Sequence, residues 1–254
     1  MNIVVPIKLV PDVVEELLID PGGAWLDASA LRLKLNEFDD HAMEQAILLK
    51  EKGAGQVIVV APDVEGADDV LYTAAAKGAD RLIKLTGNFV ESVSNQALAR
   101  IFANAIEPLR PELILTGVQA HNDLDGSVGP QLAEHFGMRY VGYVSGVVVY
   151  DGKVEVRKEY PGGLIAEMQV TLPAVIGIQA AEKPPRYIPI SKIRQTMKTA
   201  KIETQPAAEQ QPIGARAIRR MFQPEVAARA TIIEGDAEAV AGKLVAIFQE
   251  QGVL

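Results

Sequence analysis

The chain has no cysteine, one tryptophan, three histidines and only 5% aromatic residues. Without cysteine there is no disulfide, no thiolate metal site and no cysteine nucleophile. The histidines, His41, His121 and His135, offer little for acid–base or metal chemistry, and neither an HExxH helix nor a GxSxG elbow occurs. His41 follows Asp39 and Asp40, a pattern that reads as a charged helix start in preference to a metal cluster. Glu159 and Glu167 would act as an acid–base pair only if the fold brought them together. No apolar run approaches the roughly 20 residues a membrane span needs. The opening MNIVVPIK has no positively charged region ahead of its apolar run, so it reads as a first strand and not a signal peptide, with the cytoplasm as the expected compartment. Positive charge is also scarce: 25 Lys and Arg against 33 Asp and Glu give a net charge of -8, which argues against nucleic acid as the main partner.

What is present is the composition of a globular protein. At 254 residues and 48% hydrophobic, the chain is long enough for one large domain, or one domain plus an arm. Short apolar runs at 2–8, 57–61, 81–85 and 113–117 alternate with helical patterns at 36–53, 67–77 and 92–109. Strands alternating with helices at these intervals predict βαβ units and an α/β fold with a mostly parallel sheet. Pro11 is expected to end any regular element, and 17–35 reads as a hairpin-like excursion around Pro21-Gly22-Gly23. After residue 139 the pattern changes to strand-like runs at 140–150, 153–160 and 165–171, joined by Asp151-Gly152 and Pro161-Gly162-Gly163. Asp-Gly between apolar-rich runs is a hairpin signal. A buried strand follows at 175–178, then a break at 183–187 and a basic segment with Lys192, Arg194, Lys198 and Lys201. Residues 203–217 are poor in apolar side chains and read as an extended linker, and 236–250 as an amphipathic helix with Val240, Leu244, Ile247 and Phe248 on one side. The predicted organisation is a domain at 1–202 and a linker and arm at 203–254.

The stretch around which the chain is organised is LILTGVQAHNDLDGSVGPQLAE, residues 113–134. It runs from an apolar strand closed by Gly117, through turn formers, into a helix. The first backbone N–H groups of a helix lack internal partners and carry partial positive charge, so this order suits an anion. Gly126 and Gly129 would admit a phosphate close to the backbone. Ser127 is placed as N-cap, and Pro130 in the first turn loses only an N–H that has no partner there anyway. Asp123 and Asp125 belong to this loop and must point away from a phosphate. Taken alone the GxxG spacing is neither the dinucleotide fingerprint nor a P-loop.

Six separated stretches together resemble one family, the beta (small) subunit of electron-transfer flavoproteins. Ile7-Lys8-Leu9-Val10-Pro11-Asp12 is similar to that family's Val-Lys-x-Val-Pro-Asp. Leu35-Asn36-Glu37-Phe38-Asp39 and the helix after it resemble Asn-Pro-x-Asp. Gly78-Ala79-Asp80-Arg81, the loop and helix from Gly117 to Glu134, Arg157 to Gly163 with Leu172-Pro173-Ala174-Val175-Ile176, and Pro185-Arg186-Tyr187 complete the series.

The resemblance implies a Rossmann-like domain with an antiparallel hairpin extension and a C-terminal arm. It implies a heterodimer with an alpha subunit that holds a redox-active FAD, and an electron carrier, not an enzyme, passing electrons from flavin dehydrogenases to another acceptor. A buried adenine nucleotide, usually AMP, is expected in this chain. Pro6, Asn36, Ala61 and Pro62 would lie near the adenosine. The loop carrying Asp123 and Asp125 would complete the site, with Gly126, Ser127, Val128 and Gly129 holding the phosphate through backbone N–H groups. Ile190, with Lys192 and Arg194, matches the segment that docks acyl-CoA dehydrogenases. The chain departs from the family at Ile190-Ser191, where Leu-Pro is common, at Val13, where AMP-carrying members often place tyrosine, and at Gly126-Ser127, where Asn-Gln is usual. Val128-Gly129-Pro130-Gln131 before Ala133-Glu134 also resembles members that split electron pairs and bind a second FAD here, with His121 and Asn122 then nearest the pyrophosphate. A stand-alone ATP-binding or ATP-hydrolysing protein of similar fold is the other alternative, against which stands the lack of an SGGxDS loop after the first strand.

Overall fold

A computed structural model describes residues 1–89, 94–208, 218–224 and 230–254. Two compact units divide it, 1–220 and 221–254.

In the first unit, apolar β-branched runs too short for helices become strands, and β3, β4, β5 and β6 are each followed by a helix. The order is β1 (Asn2–Pro6), β2 (Leu9–Pro11), β3 (Leu33–Leu35), α1 (Glu37–Glu51), β4 (Gln56–Pro62), α2 (Ala67–Lys77) and β5 (Arg81–Thr86). Then come α3 (Asn95–Ile106), β6 (Leu113–Gly117), α4 (Val128–Phe136), β7 (Arg139–Tyr150), β8 (Lys153–Tyr160), β9 (Leu164–Thr171), β10 (Ala174–Ile178), α5 (Ile190–Thr196) and β11 (Ile202–Pro206). Nine strands form one sheet in the order β11-β5-β4-β1-β6-β10-β7-β8-β9. The pairings from β11 to β7 are parallel, and β7-β8-β9 is an antiparallel meander. The fold is thus α/β with a mostly parallel sheet.

Strand alternation sends side chains to two cores. Ile3, Val5, Val57, Val59, Leu113 and Leu115 face α1 and α2, while Val4, Ile58, Val60 and Ile114 face α3 and α4. Burial on both faces is why these strands read as continuous apolar runs and not as alternation. The chain passes from β1 outward to β4 and β5, then crosses back through α3 to β6 on the other side of β1. The gap above the C-terminal ends of β1 and β6 is therefore the topological switch point, where α/β sheets bind ligands.

Several local expectations change. β1 ends at Pro6, and a further short strand, β2, ends at Pro11 as expected and pairs antiparallel with β3. The 17–35 excursion holds a single bridge, Ile19 to Leu26, before β3. The start of the expected third helix at 92–93 lies outside the described residues; α3 runs from Asn95, capped by Ser94, to Ile106, with a tighter turn at Glu107–Leu109. Residues 203–206, expected as linker, belong to β11, paired to β5 with Glu203 in a bidentate contact to Arg81 (2.8 and 2.9 Å). An edge strand needs no apolar run, so its polar sequence concealed it. Of the rest of that linker, 209–217 lies outside the described residues. Glu159 and Glu167 are exposed and stand opposite Ile165 and Arg157, so they are diagonal neighbours on one face of β8 and β9 and not directly opposed.

The second unit holds α6 (Ala237–Glu250), whose Asp236 accepts from the Ala239 N–H at 2.9 Å. None of the residues of α6 is buried, Leu244, Ile247 and Phe248 included. No described helix is long and apolar enough to cross a membrane.

Candidate functional site

A cleft opens at the switch point, walled by Pro6, Lys8, Asn36, Asp39, Phe102 and Thr116, with Gln119, Asp123, Ser127 and Val128 on its loop side. The cleft is small and opens to solvent.

Its rim is pinned by the first turn of α1. Asp39 is buried, and its two carboxylate oxygens accept from the backbone N–H of Lys8 (2.9 Å) and of Gly117 (2.8 Å). One side chain therefore ties together the ends of β1 and β6. A Cβ at position 117 would stand 2.8 Å from the Asp39 nitrogen, so glycine is needed for this approach. Burial pushes the Asp39 carboxyl up to about 6, against the opposing pull of the Lys8 and Gly117 N–H groups and the Lys8 charge. Asn36, also buried, donates from Nδ2 to the Gln119 carbonyl (2.9 Å) and fixes the start of the loop.

The loop is held by its aspartates. Asp123 accepts from Lys8 Nζ (2.5 Å) and Asn95 Nδ2 (2.7 Å) through one oxygen and from the Ala120 N–H (2.8 Å) through the other. Asp125 turns instead to the N-terminus of α3, accepting from the N–H groups of Asn95 and Gln96 at 3.2 Å each. There the helix dipole and unpaired N–H groups favour a carboxylate. Asn95 Nδ2 also donates to the Gly126 carbonyl (2.7 Å), and Gln131 Nε2 to the Ser127 carbonyl (3.1 Å).

At the start of α4, Ser127 occupies the N-cap position but its side chain makes no capping bond; its hydroxyl interacts with the Tyr140 phenol. That phenol lies so close to Gly142 and Gly177 that a Cβ at either would come within 2.6 Å of its oxygen. Burial pushes Tyr140 up to about 12, keeping it neutral. A Cβ at Gly129 would stand 2.7 Å from Thr116 Oγ1 and 2.9 Å from the Tyr140 ring. Thr116 Oγ1 is buried without a hydrogen-bond partner.

Of the residues expected around a nucleotide, Pro6, Asn36, Asp123, Ser127 and Val128 line this one cleft. Gly126 and Gly129 flank it in the loop and first helical turn, Gly126 with a φ of +88°. Ala61 and Pro62 end β4, the strand beside β1, without forming the wall, and Asp125 faces α3. His121 and Asn122 are exposed outside the wall. Lys8, Asp39, Phe102 and Thr116 were missed as site residues. The hydroxyl of Thr116 inside an apolar strand, next to Gly117, was the available signal. Among the described residues, no group of three or more His, Asp or Glu is placed to hold a metal ion, and His41 Nδ1 instead accepts from the Ala181 N–H (3.2 Å).

A second feature lies along α1. Glu44, fully enclosed, accepts from Arg186 Nε (2.8 Å) and the Arg186 N–H (3.0 Å), and Gln45 accepts from the Glu182 N–H (3.0 Å). Arg186 reaches on to Glu51 at 2.6 and 3.2 Å, and both carboxylates raise its pKa further. Buried polar groups of one helix thus fasten the segment after β10. Beyond it Tyr187 and Ile190 stand 83% and 64% exposed, beside exposed Lys192 and Arg194. Ile190 opens α5.

The electron transfer flavoprotein domain matches residues 25–210. The electron transfer flavoprotein subunit beta of Methylophilus methylotrophus is 30% identical over 98% of both chains. The subunit beta proteins of Syntrophomonas wolfei (33% identical, 87% of this chain and 86% of that one) and Clostridium acetobutylicum (32%, 76% and 74%) are also similar. The chain belongs to the electron transfer flavoprotein family.

Proposed function

We propose that this member of the electron transfer flavoprotein family is the small subunit of a heterodimeric electron carrier, with no substrate turnover of its own. Its role is to hold an adenine nucleotide, to support a larger subunit that carries FAD, and to present a docking segment to flavin dehydrogenases of the cytoplasm. The observation that carries the reading is the cleft at the switch point, where a strand end, a helix start and a glycine loop converge.

The residues fit a nucleotide phosphate. The first turn of α4 offers backbone N–H groups and the positive end of its dipole. An orphaned hydroxyl stands beside that turn. The one lysine in the wall is already paired with Asp123, so backbone groups, not net side-chain charge, would carry the anion. Pro6 and Asn36 would bound the adenosine. The cleft is small and opens to solvent, so part of any nucleotide would lie outside it; AMP, the usual occupant in the family the chain resembles, is the nucleotide proposed. Such a nucleotide supplies no redox chemistry; it completes the packing between α1, α4 and the loop.

Electron transfer belongs to the flavin of the larger subunit. The apolar Ile190, ringed by Lys192 and Arg194 and braced through Arg186, would anchor an acidic dehydrogenase surface. The apolar side of α6 would dock on the larger subunit. Because β11 belongs to the sheet, the cut that tests the arm lies after residue 220. A chain lacking 221–254 should remain folded but fail to co-purify with a flavin-bearing partner that the full chain retains. Normal assembly of the shortened chain would refute the arm's role.

A further inference from the structure

Thr116 lies in β6 between buried Leu115 and Gly117 and is 2% exposed. Strand alternation puts it on the face of Ile114, toward α3 and α4. Its hydroxyl is the one buried side-chain polar atom among the described residues with no hydrogen-bond partner. Beside it is the second residue of α4, Gly129, where any Cβ would come within 2.7 Å of Oγ1. The same threonine lines the cleft. A purely structural role would be served as well by valine, which has the same shape and leaves no hydroxyl to desolvate. Among the described residues no group is hydrogen-bonded to it.

We infer that Thr116 is a nucleotide-binding residue whose Oγ–H donates to a phosphate oxygen seated at the N-terminus of α4. This rests on the reading of the cleft as an adenine-nucleotide site. Thr116 lines the cleft together with Ser127 and Val128 at the start of α4, and Gly129 is glycine because a Cβ there would collide with Thr116 Oγ1 and the Tyr140 ring. Threonine suits the task because its β-branched side chain has few rotamers to lose in a strand.

The test uses the full chain, stripped of nucleotide, with AMP and adenosine as probes in calorimetric titrations. Thr116→Val should weaken AMP binding by roughly 10- to 100-fold, the value of a hydrogen bond to a charged acceptor. Adenosine binding should be unchanged, and Thr116→Ser should keep most of the AMP affinity. If Thr116→Val binds AMP as the parent does, or if Thr116→Ser loses as much as Thr116→Val, the inference is overturned while the nucleotide site stands. Equal weakening toward adenosine would also overturn it, by moving the effect away from phosphate. If the parent chain binds neither AMP nor FAD, the reading of the cleft fails and the inference with it.

Discussion

Lys8 Nζ lies 2.5 Å from Asp123 Oδ1, and both side chains are only 12% exposed. The two are 115 residues apart in the chain, so this ion pair closes the loop over the cleft. Removing one charge leaves the other enclosed and unpaired, which is more costly than losing a surface pair. Asp123→Asn should therefore lower stability by about 2 kcal/mol in the absence of ligand. It should also free Lys8 for a phosphate, so the rise in melting temperature on adding AMP should be larger than in the parent. A smaller rise would show that Lys8 does not face the ligand.

Asp39 gives a pH-dependent prediction. Its carboxyl is raised from 3.8 to about 6 in the folded chain. Between those values the folded state holds a proton that the unfolded state has released. Stability attributable to Asp39 is therefore full below pH 4 and declines as pH rises through 6, by about 3 kcal/mol in total. In urea unfolding series, the parent's stability relative to Asp39→Asn should fall between pH 4 and pH 6.5. A difference that rises over this range would contradict the assignment of burial as the dominant influence.

The brace on α1 separates two glutamates that share one arginine. Glu44 is 2% exposed and accepts both a guanidinium and a backbone N–H, whereas Glu51 is 52% exposed. Glu44→Ala should cost about 3 kcal/mol in urea unfolding, and Glu51→Ala less than about 1 kcal/mol. Equal costs would mean that Arg186 is held mainly by its exposed partner.

Much of the fold was legible because its signals are local. Buried parallel strands such as 57–61 and 113–117 are short apolar runs, and helices such as α2 keep their period to the end. The strand–loop–helix at 113–134 stood out for the same reason. The parts that escaped depend on partners distant in sequence or on edges. β11 is polar because it lies at the sheet edge. Asp125 reads as a loop carboxylate until α3 arrives to take it, and the grip of Asp39 on Gly117 spans 78 residues. Ala61 and Pro62 were assigned from a resemblance, and position along a strand did not carry them into the wall.

The proposed docking role of Ile190 can be tested without disturbing the cleft. Ile190→Ala removes an exposed side chain and should change stability by less than about 0.5 kcal/mol. It should slow reduction of the complex by a flavin dehydrogenase several-fold in stopped-flow measurements, with flavin content unaltered. Unchanged transfer rates would leave Ile190 an ordinary surface residue.

The central claim is a small subunit holding a single adenine nucleotide beside a partner's flavin. The most direct measurement is to purify the complex from this chain's native host, denature it, and quantify the released ligands by chromatography. One FAD and one AMP per heterodimer is the predicted result. Two FAD and no AMP, or no flavin-bearing partner at all, would contradict it.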